Sequence, residues 1–182
     1  PPPPPPPPFF FQPQPANRDA QESRGLGDVY KRQGLVIDSN RISDISPLFN
    51  LNNLTGLVIS NNQIGNIGGL HNLKKLTLLN LSKNQISDIS PLAHLVSLVH
   101  LDLNANQVTD LSGLAKLTNL AYLYLNDNQL VSTVGLINLK KLKILYLSNN
   151  QIADISPLFN FISIPYLNPV IPVLYLFRAS SL

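Results

Sequence analysis

The sequence predicts a repeat solenoid of the α/β type. Such a fold is a curved stack of similar coils with a parallel β-sheet on its concave side and short 3₁₀ or irregular segments on its convex side. Two observations carry this prediction. Apolar residues recur at seven positions per period, at −5, −3, +2, +5, +8, +11 and +14 from a recurring asparagine, and one coil cannot bury them without its neighbours. The asparagines follow one another at intervals of 22 residues: Asn40, Asn62, Asn84, Asn106, Asn128 and Asn150.

Each period begins with a short predicted strand. The residues at −5 and −3 are apolar and alternate with outward-facing positions, which is the period-two pattern of a strand with one buried face. Stacked coils place these strands in parallel about 4.8 Å apart. The side chains at −6, −4 and −2 therefore face outward from the concave sheet.

The six asparagines, called the ladder asparagines below, lie where the chain turns out of each strand. This turn leaves backbone N–H and C=O groups inside the coil. A carboxamide both donates and accepts hydrogen bonds, so it can satisfy these groups in its own coil and in the next. We interpret the ladder asparagines as structural residues.

The convex side is predicted from the phrase I-x-D-I-x-P-L, which occurs at residues 42–48, 86–92 and 152–158. Serine followed by proline is typical of the first turn of a helix, and the spacing leaves room only for a short 3₁₀ turn. Thr133 stands where the other periods have Ile or Leu. We therefore expect a local adjustment at Thr133.

Phrases such as Leu79-Asn-Leu-Ser-Lys-Asn84-Gln-Ile resemble the leucine-rich-repeat family, whose signature is L-x-x-L-x-L-x-x-N-x-L. The 22-residue period and the convex phrase resemble the internalin-type repeats of bacterial surface proteins. Phosphatase-regulatory repeat proteins of eukaryotes are close relatives in the same class. The resemblance covers residues 34–164 and implies a leucine-rich-repeat horseshoe of six repeats that binds a protein partner on its concave face.

The candidate partner-binding site lies on the last three strands of that face. Three of the six tyrosines of the chain cluster there among short polar residues, an arrangement typical of protein-recognition hot spots. Tyrosine also suits exposed strands for reasons unrelated to binding. The predicted partner-binding residues are His100, Asp102, Asn104, Tyr122, Tyr124, Asn126, Tyr146 and Ser148.

We predict no catalytic residue, no metal site and no cofactor. His100, Asp102 and Ser82 can be drawn as a triad, but an open face offers neither a pocket nor oxyanion donors. His71 and His94 lie in convex segments without the spacing of metal ligands. The net charge of +3 is too small to indicate nucleic acid or a membrane surface as a partner.

The two ends of the chain are predicted to differ from the repeats. Residues 1–33 form a proline-rich tail that we expect to be disordered and non-native, because residues 28–33 back-translate to a sequence that resembles a sequencing-library adapter. If this tail is genuine, its proline run is a ligand for aromatic grooves. Residues 165–182 are interpreted as a degraded terminal repeat or irregular tail; their prolines argue against a membrane helix. The absence of methionine favours a fragment.

The favoured function is a protein-interaction module in a larger bacterial surface or secreted protein. Two alternatives stay open: an intracellular regulatory scaffold that docks on an enzyme such as a phosphatase, and the recognition arm of a larger enzyme. The cell surface or exterior is slightly favoured over the cytoplasm on the resemblance to internalins. The sequence does not identify the partner.

Overall fold

The computed structural model describes residues 34–161, with side-chain detail up to residue 159. The predicted repeat domain, residues 34–164, is therefore described except for its last three residues. The predictions for the tails at residues 1–33 and 165–182 lie outside the described part of the chain.

Six three-residue strands form one parallel sheet in chain order. Each strand pairs with the next at an offset of one period, so that Leu57 lies opposite Leu79 and Leu101 lies opposite Leu123. This open parallel sheet, together with the short convex segments, confirms the predicted solenoid. The strands are β1 (Gly34–Val36), β2 (Gly56–Val58), β3 (Leu78–Asn80), β4 (His100–Asp102), β5 (Tyr122–Tyr124) and β6 (Ile144–Tyr146).

The convex side carries one 3₁₀ segment per repeat, and the described residues contain no α-helix. Two residues before each segment, a side chain accepts a hydrogen bond from the N–H of the segment's first residue. For example, Asp88 Oδ1 accepts from the Ser90 N–H at 2.8 Å. Proline in the first turn suits this start because it lacks an N–H. The segments are η1 (Ser46–Leu48), η2 (Gly68–Asn72), η3 (Ser90–His94), η4 (Ser112–Leu114), η5 (Val134–Leu136) and η6 (Ser156–Phe161).

The hydrophobic core runs through the interior of the stack. In the central repeats the predicted apolar positions are buried; around Asn84, for instance, Leu79, Leu81, Ile86 and Leu92 are at most 1% exposed. The first and last described coils lack a covering neighbour on one side within the described range, and several of their core residues are only half-buried. The stack therefore depends on contacts between repeats, as a solenoid does.

The ladder asparagines connect each repeat to the one before it. Asn106 Oδ1 accepts from the Ile86 N–H at 3.0 Å, and Asn106 Nδ2 donates to the carbonyl oxygens of Leu81 and Leu103 at 3.0 and 3.1 Å. Asn40 is in the first described repeat, and within the described residues its Nδ2 donates to its own coil, to the carbonyls of Ile37 and Asp38. Each interior asparagine thus satisfies buried backbone groups of two coils.

The residue before each ladder asparagine adopts a left-handed backbone conformation, which the sequence analysis did not foresee. The φ angles lie between 53° and 58°. Asparagine and aspartate tolerate this region better than other non-glycine residues. The six positions are Ser39, Asn61, Lys83, Ala105, Asp127 and Asn149.

The local adjustment expected at Thr133 is small. Its backbone angles, φ −106° and ψ 7°, match those of Leu111 in the preceding repeat, φ −102° and ψ 8°. Next to it, Ser132 forms an isolated parallel bridge with Asp154. The Thr133 side chain is fully buried, and its hydroxyl has no hydrogen-bond partner. The substitution is therefore accommodated with little backbone change and leaves an unsatisfied hydroxyl in the core.

Candidate functional site

The outward positions of β4, β5 and β6 bring the predicted aromatic residues together. In the parallel register His100 lies opposite Tyr122, and Tyr124 lies opposite Tyr146. Their side chains share the concave face because residues two apart on a strand point the same way. We call His100, Asp102, Tyr122, Tyr124 and Tyr146 the aromatic patch.

The first ring pair of the patch is His100 with Tyr122. The two rings are nearly parallel, with an interplanar angle of 2°, and their centroids are 4.3 Å apart. Burial of the imidazole lowers the pKa of His100 below its usual value. The neutral imidazole is therefore favoured near pH 7, and the pair presents a flat, half-buried aromatic surface.

The second ring pair is Tyr124 with Tyr146. Their centroids are 5.3 Å apart at an interplanar angle of 29°. Tyr146 is 36% exposed, so one ring of the pair is open to a partner. Burial raises the pKa of Tyr124, and the nearby Tyr146, Asp102 and Tyr122 raise it further. The Tyr124 phenol therefore remains a protonated donor at neutral pH.

Asp102 is the carboxylate of the patch and lies opposite Tyr124 in the register. Its Oδ1 accepts a hydrogen bond from the Asn104 N–H at 2.9 Å. Burial raises the pKa of Asp102, and the hydrogen bond from Asn104 offsets only part of that effect. The patch thus combines two stacked ring pairs with one half-buried acidic group.

Asn104, Asn126 and Ser148 form a hydrogen-bonded row beside the patch. The Asn126 N–H donates to Asn104 Oδ1 at 2.7 Å, and the Ser148 N–H donates to Asn126 Oδ1 at 2.8 Å. These two amide oxygens are therefore engaged between repeats, a structural use that the sequence analysis missed. A partner-binding role for the three residues stays a prediction.

The triad considered from sequence is not assembled. Ser82 Oγ donates to Asn80 Oδ1 at 2.8 Å. If the register of β3 and β4 is continued two residues past the strands, Ser82 lies opposite Asn104. Asn104 is four residues after His100, so Ser82 is offset from His100 by about 13 Å along the strand direction. The described residues also contain no group of three or more His, Cys, Asp or Glu that could hold a metal ion. Nor does any helix between residues 34 and 161 have the length and apolarity to cross a membrane.

A family model described as leucine-rich repeats (2 copies) matches residues 52–94, 74–116 and 118–160. The chain belongs to the leucine-rich-repeat family. A comparison with curated proteins gives no significant match. Family membership supports a protein–protein interaction module.

Solved structures place this leucine-rich-repeat chain near the internalins. An internalin, inlF, from Listeria monocytogenes is 38% identical with a TM-score of 0.69; the match covers 70% of this chain and 37% of inlF. Internalin C2 of the same species is 38% identical with a TM-score of 0.57, over 71% of this chain and 67% of that protein. The chain is internalin-like. Such relatives are typically interaction modules without enzymatic activity.

Two further structures share the architecture. The leucine-rich-repeat protein LIC12759 of Leptospira interrogans is 32% identical with a TM-score of 0.62, over 65% of this chain and 31% of that protein. A plant peptide hormone receptor, RGFR1, in complex with RGF2 is 24% identical with a TM-score of 0.58, over 65% of this chain and 20% of the receptor, and shows the fold alone. The chain thus spans about a third of inlF and of the Leptospira protein.

Proposed function

We propose that this leucine-rich-repeat chain is the partner-binding part of a larger bacterial surface or secreted protein. It binds a protein partner on its concave face through the aromatic patch. The observation that carries the proposal is the pair of ring stacks, His100–Tyr122 and Tyr124–Tyr146, that lie side by side on three adjacent strands.

The chemistry of the patch supports this function. Tyrosines supply a large contact area with few rotatable bonds, so little conformational entropy is lost when a partner binds. The stacking already fixes the rings in the free protein, which lowers that cost further. The rings of His100, Tyr122 and Tyr124 are half-buried and that of Tyr146 is exposed. Flanked by the polar row of Asn104, Asn126 and Ser148, these rings match the apolar centre and polar rim of a protein interface.

The larger context is supported by the relatives. The two internalins and the Leptospira protein are bacterial. The match covers 37% of inlF, so a solenoid of this kind is part of a longer chain in that relative. The surface or secreted location proposed here rests on this similarity.

The test compares two triple alanine variants against a protein partner selected on the unchanged chain from a library of displayed protein domains. The first variant replaces Tyr122, Tyr124 and Tyr146. The matched control replaces three exposed apolar residues of the fifth described repeat, outside the sheet: Val131, Val134 and Ile137, which are 58%, 61% and 39% exposed.

We expect the tyrosine variant to lose about 100-fold or more in affinity, because central aromatic residues dominate interface energies. The control variant should change the dissociation constant by less than about threefold. Circular dichroism establishes that both variants remain folded. Unchanged affinity in a folded tyrosine variant would refute the site.

A further inference from the structure

The concave face of this basic chain carries negative charge. Among the outward positions of the six strands and the residues two beyond each strand, the only carboxylates are Asp38 and Asp102, and there is no Lys or Arg. The net charge of the whole chain is +3. The lysines and the arginine of the described range therefore lie outside these positions.

Of the two carboxylates, Asp102 is the less exposed to solvent. It is half-buried, and the hydrogen bond identified for it comes from the backbone N–H of Asn104. Burial raises its pKa, and no cation from the described part of the chain counters that effect. A desolvated carboxylate without a cation is unfavourable in the free protein. A cationic group brought by a ligand would remove this cost.

The neighbours of Asp102 define what kind of cation fits. Asp102 lies opposite Tyr124, and the aspartate side chain is much shorter than the tyrosine side chain. We call the space over the shorter Asp102 side chain, beside Tyr124 on the same face of the sheet, the notch. The other face of Tyr124 is turned to Tyr146, with the ring centroids 5.3 Å apart. His100 lies two residues before Asp102 on β4 and faces the same side of the sheet.

A planar guanidinium suits this notch better than other groups. It stacks on an aromatic face while donating two N–H groups to a carboxylate, and both interactions strengthen in a partly desolvated site. An ammonium group is more strongly hydrated and binds as a point charge. A neutral side chain would leave Asp102 uncompensated.

We propose that the notch over Asp102 binds an arginine guanidinium that the protein partner presents to the concave face. The inference rests on the proposed function, since it names the chemistry that the same patch recognises. Asp102 accepts the two N–H groups, and the Tyr124 ring packs against the guanidinium plane. The site selects for a partner with an exposed arginine.

The test is an NMR titration of the full chain, labelled with ¹³C in its tyrosine rings, at low salt. The two probes are N-acetyl-arginine amide and N-acetyl-citrulline amide, a neutral group of nearly the same shape. Single Tyr→Phe variants assign the ring signals. Arginine should shift the Tyr124 and Tyr146 signals in a saturable way, and citrulline should bind about tenfold more weakly because it lacks the charge.

The variant Asp102→Asn keeps an acceptor for the Asn104 N–H and should fold, which its thermal unfolding curve checks. It should reduce arginine binding to the level of citrulline. Asp38→Asn is the matched control, because it removes one carboxylate from the same face without an aromatic notch, and it should leave arginine binding unchanged. Equal binding of arginine and citrulline, or full arginine binding by folded Asp102→Asn, would overturn the inference.

Failure of this inference can be told apart from failure of the proposed function. If arginine and citrulline bind alike while the triple tyrosine variant still loses a selected partner, the arginine inference falls and the concave site stands. If the triple tyrosine variant keeps its affinity for that partner, the site assignment falls, and the notch loses its role in partner binding.

Discussion

Replacing the ladder residue Asn106 by alanine should destabilise the chain by about 2–4 kcal/mol. The buried Ile86 N–H loses its acceptor, the Asn106 oxygen. A buried donor left unsatisfied in this way costs about 1–3 kcal/mol. The carbonyls of Leu81 and Leu103 each lose one of two amide donors, since Asn84 and Asn128 still reach them. Each weakened carbonyl adds about 0.5 kcal/mol.

The matched control for this change is Asn40→Ala. Asn40 is exposed, and within the described residues its side-chain amide donates to the carbonyls of Ile37 and Asp38 in its own coil, so water can replace that amide at a cost below about 1 kcal/mol. Urea unfolding followed by far-UV circular dichroism gives the free energy of unfolding of each variant. Hydrogen exchange at the Ile86 amide reports the broken bond directly. Similar losses in both variants, or undiminished protection of the Ile86 amide in Asn106→Ala, would refute the reasoning.

Three further changes test other features of the fold. Thr133→Val removes a buried hydroxyl without a partner, so the free energy of unfolding in urea should rise by about 1–2 kcal/mol; a loss would contradict this. Ala105→Asn places a residue that tolerates φ 53° at that position. It should stabilise the fold by about 0.5–1 kcal/mol and raise the melting temperature, whereas Ala105→Val should lower the melting temperature. Hydrogen bonds from Ser90 lower the pKa of Asp88 in the folded state. The Asp88 carboxylate therefore stabilises the fold above its unfolded pKa, and this stabilisation is lost as pH falls below about 4. Unfolding measured from pH 7 to pH 3 should show this loss, and Asp88→Asn should reduce it.

The fold could be predicted because one period determines most of it. An interval of 22 residues between ladder asparagines fixes the offset between neighbouring strands, and the register of Leu57 opposite Leu79 follows directly. The apolar positions identify the buried faces because no single coil can cover them. The structure confirms the solenoid, the parallel sheet and the short 3₁₀ segments.

The left-handed conformation of one residue in each repeat was harder to predict from the sequence. Lys83 and Ala105 occupy it with φ of 54° and 53°, and neither residue type indicates this conformation. Asn61 and Asn149 at the same position are better signals, because asparagine is enriched in this region. The ladder and the pairing of neighbouring coils impose the conformation on all six repeats, so only a comparison of the repeats could have suggested it.

The candidate site was predictable in position and less so in detail. The alternation of each strand puts His100, Tyr122, Tyr124 and Tyr146 on one face. Their ring angles depend on side-chain torsions that the period does not fix, and the two stacks differ, at 2° and 29°. The hydrogen bonds that engage Asn104 with Asn126 also follow from the relative position of two coils, which a linear motif does not express.

Partner binding and repeat stability should be linked in this chain. The aromatic patch spans β4, β5 and β6, so every ring pair joins residues from two coils and no single repeat holds the site. The core leucine Leu145 of β6 is only partly buried, whereas Leu123 of β5 is fully buried, so within residues 34–161 the sixth strand has less packing to hold it. A partner seated across the patch contacts all three strands and binds only when they are stacked. It therefore stabilises the stack by mass action, by about 2.7 kcal/mol at a concentration of 100 times the dissociation constant. A binding surface assembled from several repeats thus depends on the ladder asparagines that hold those repeats in register, although the asparagines lie outside the patch.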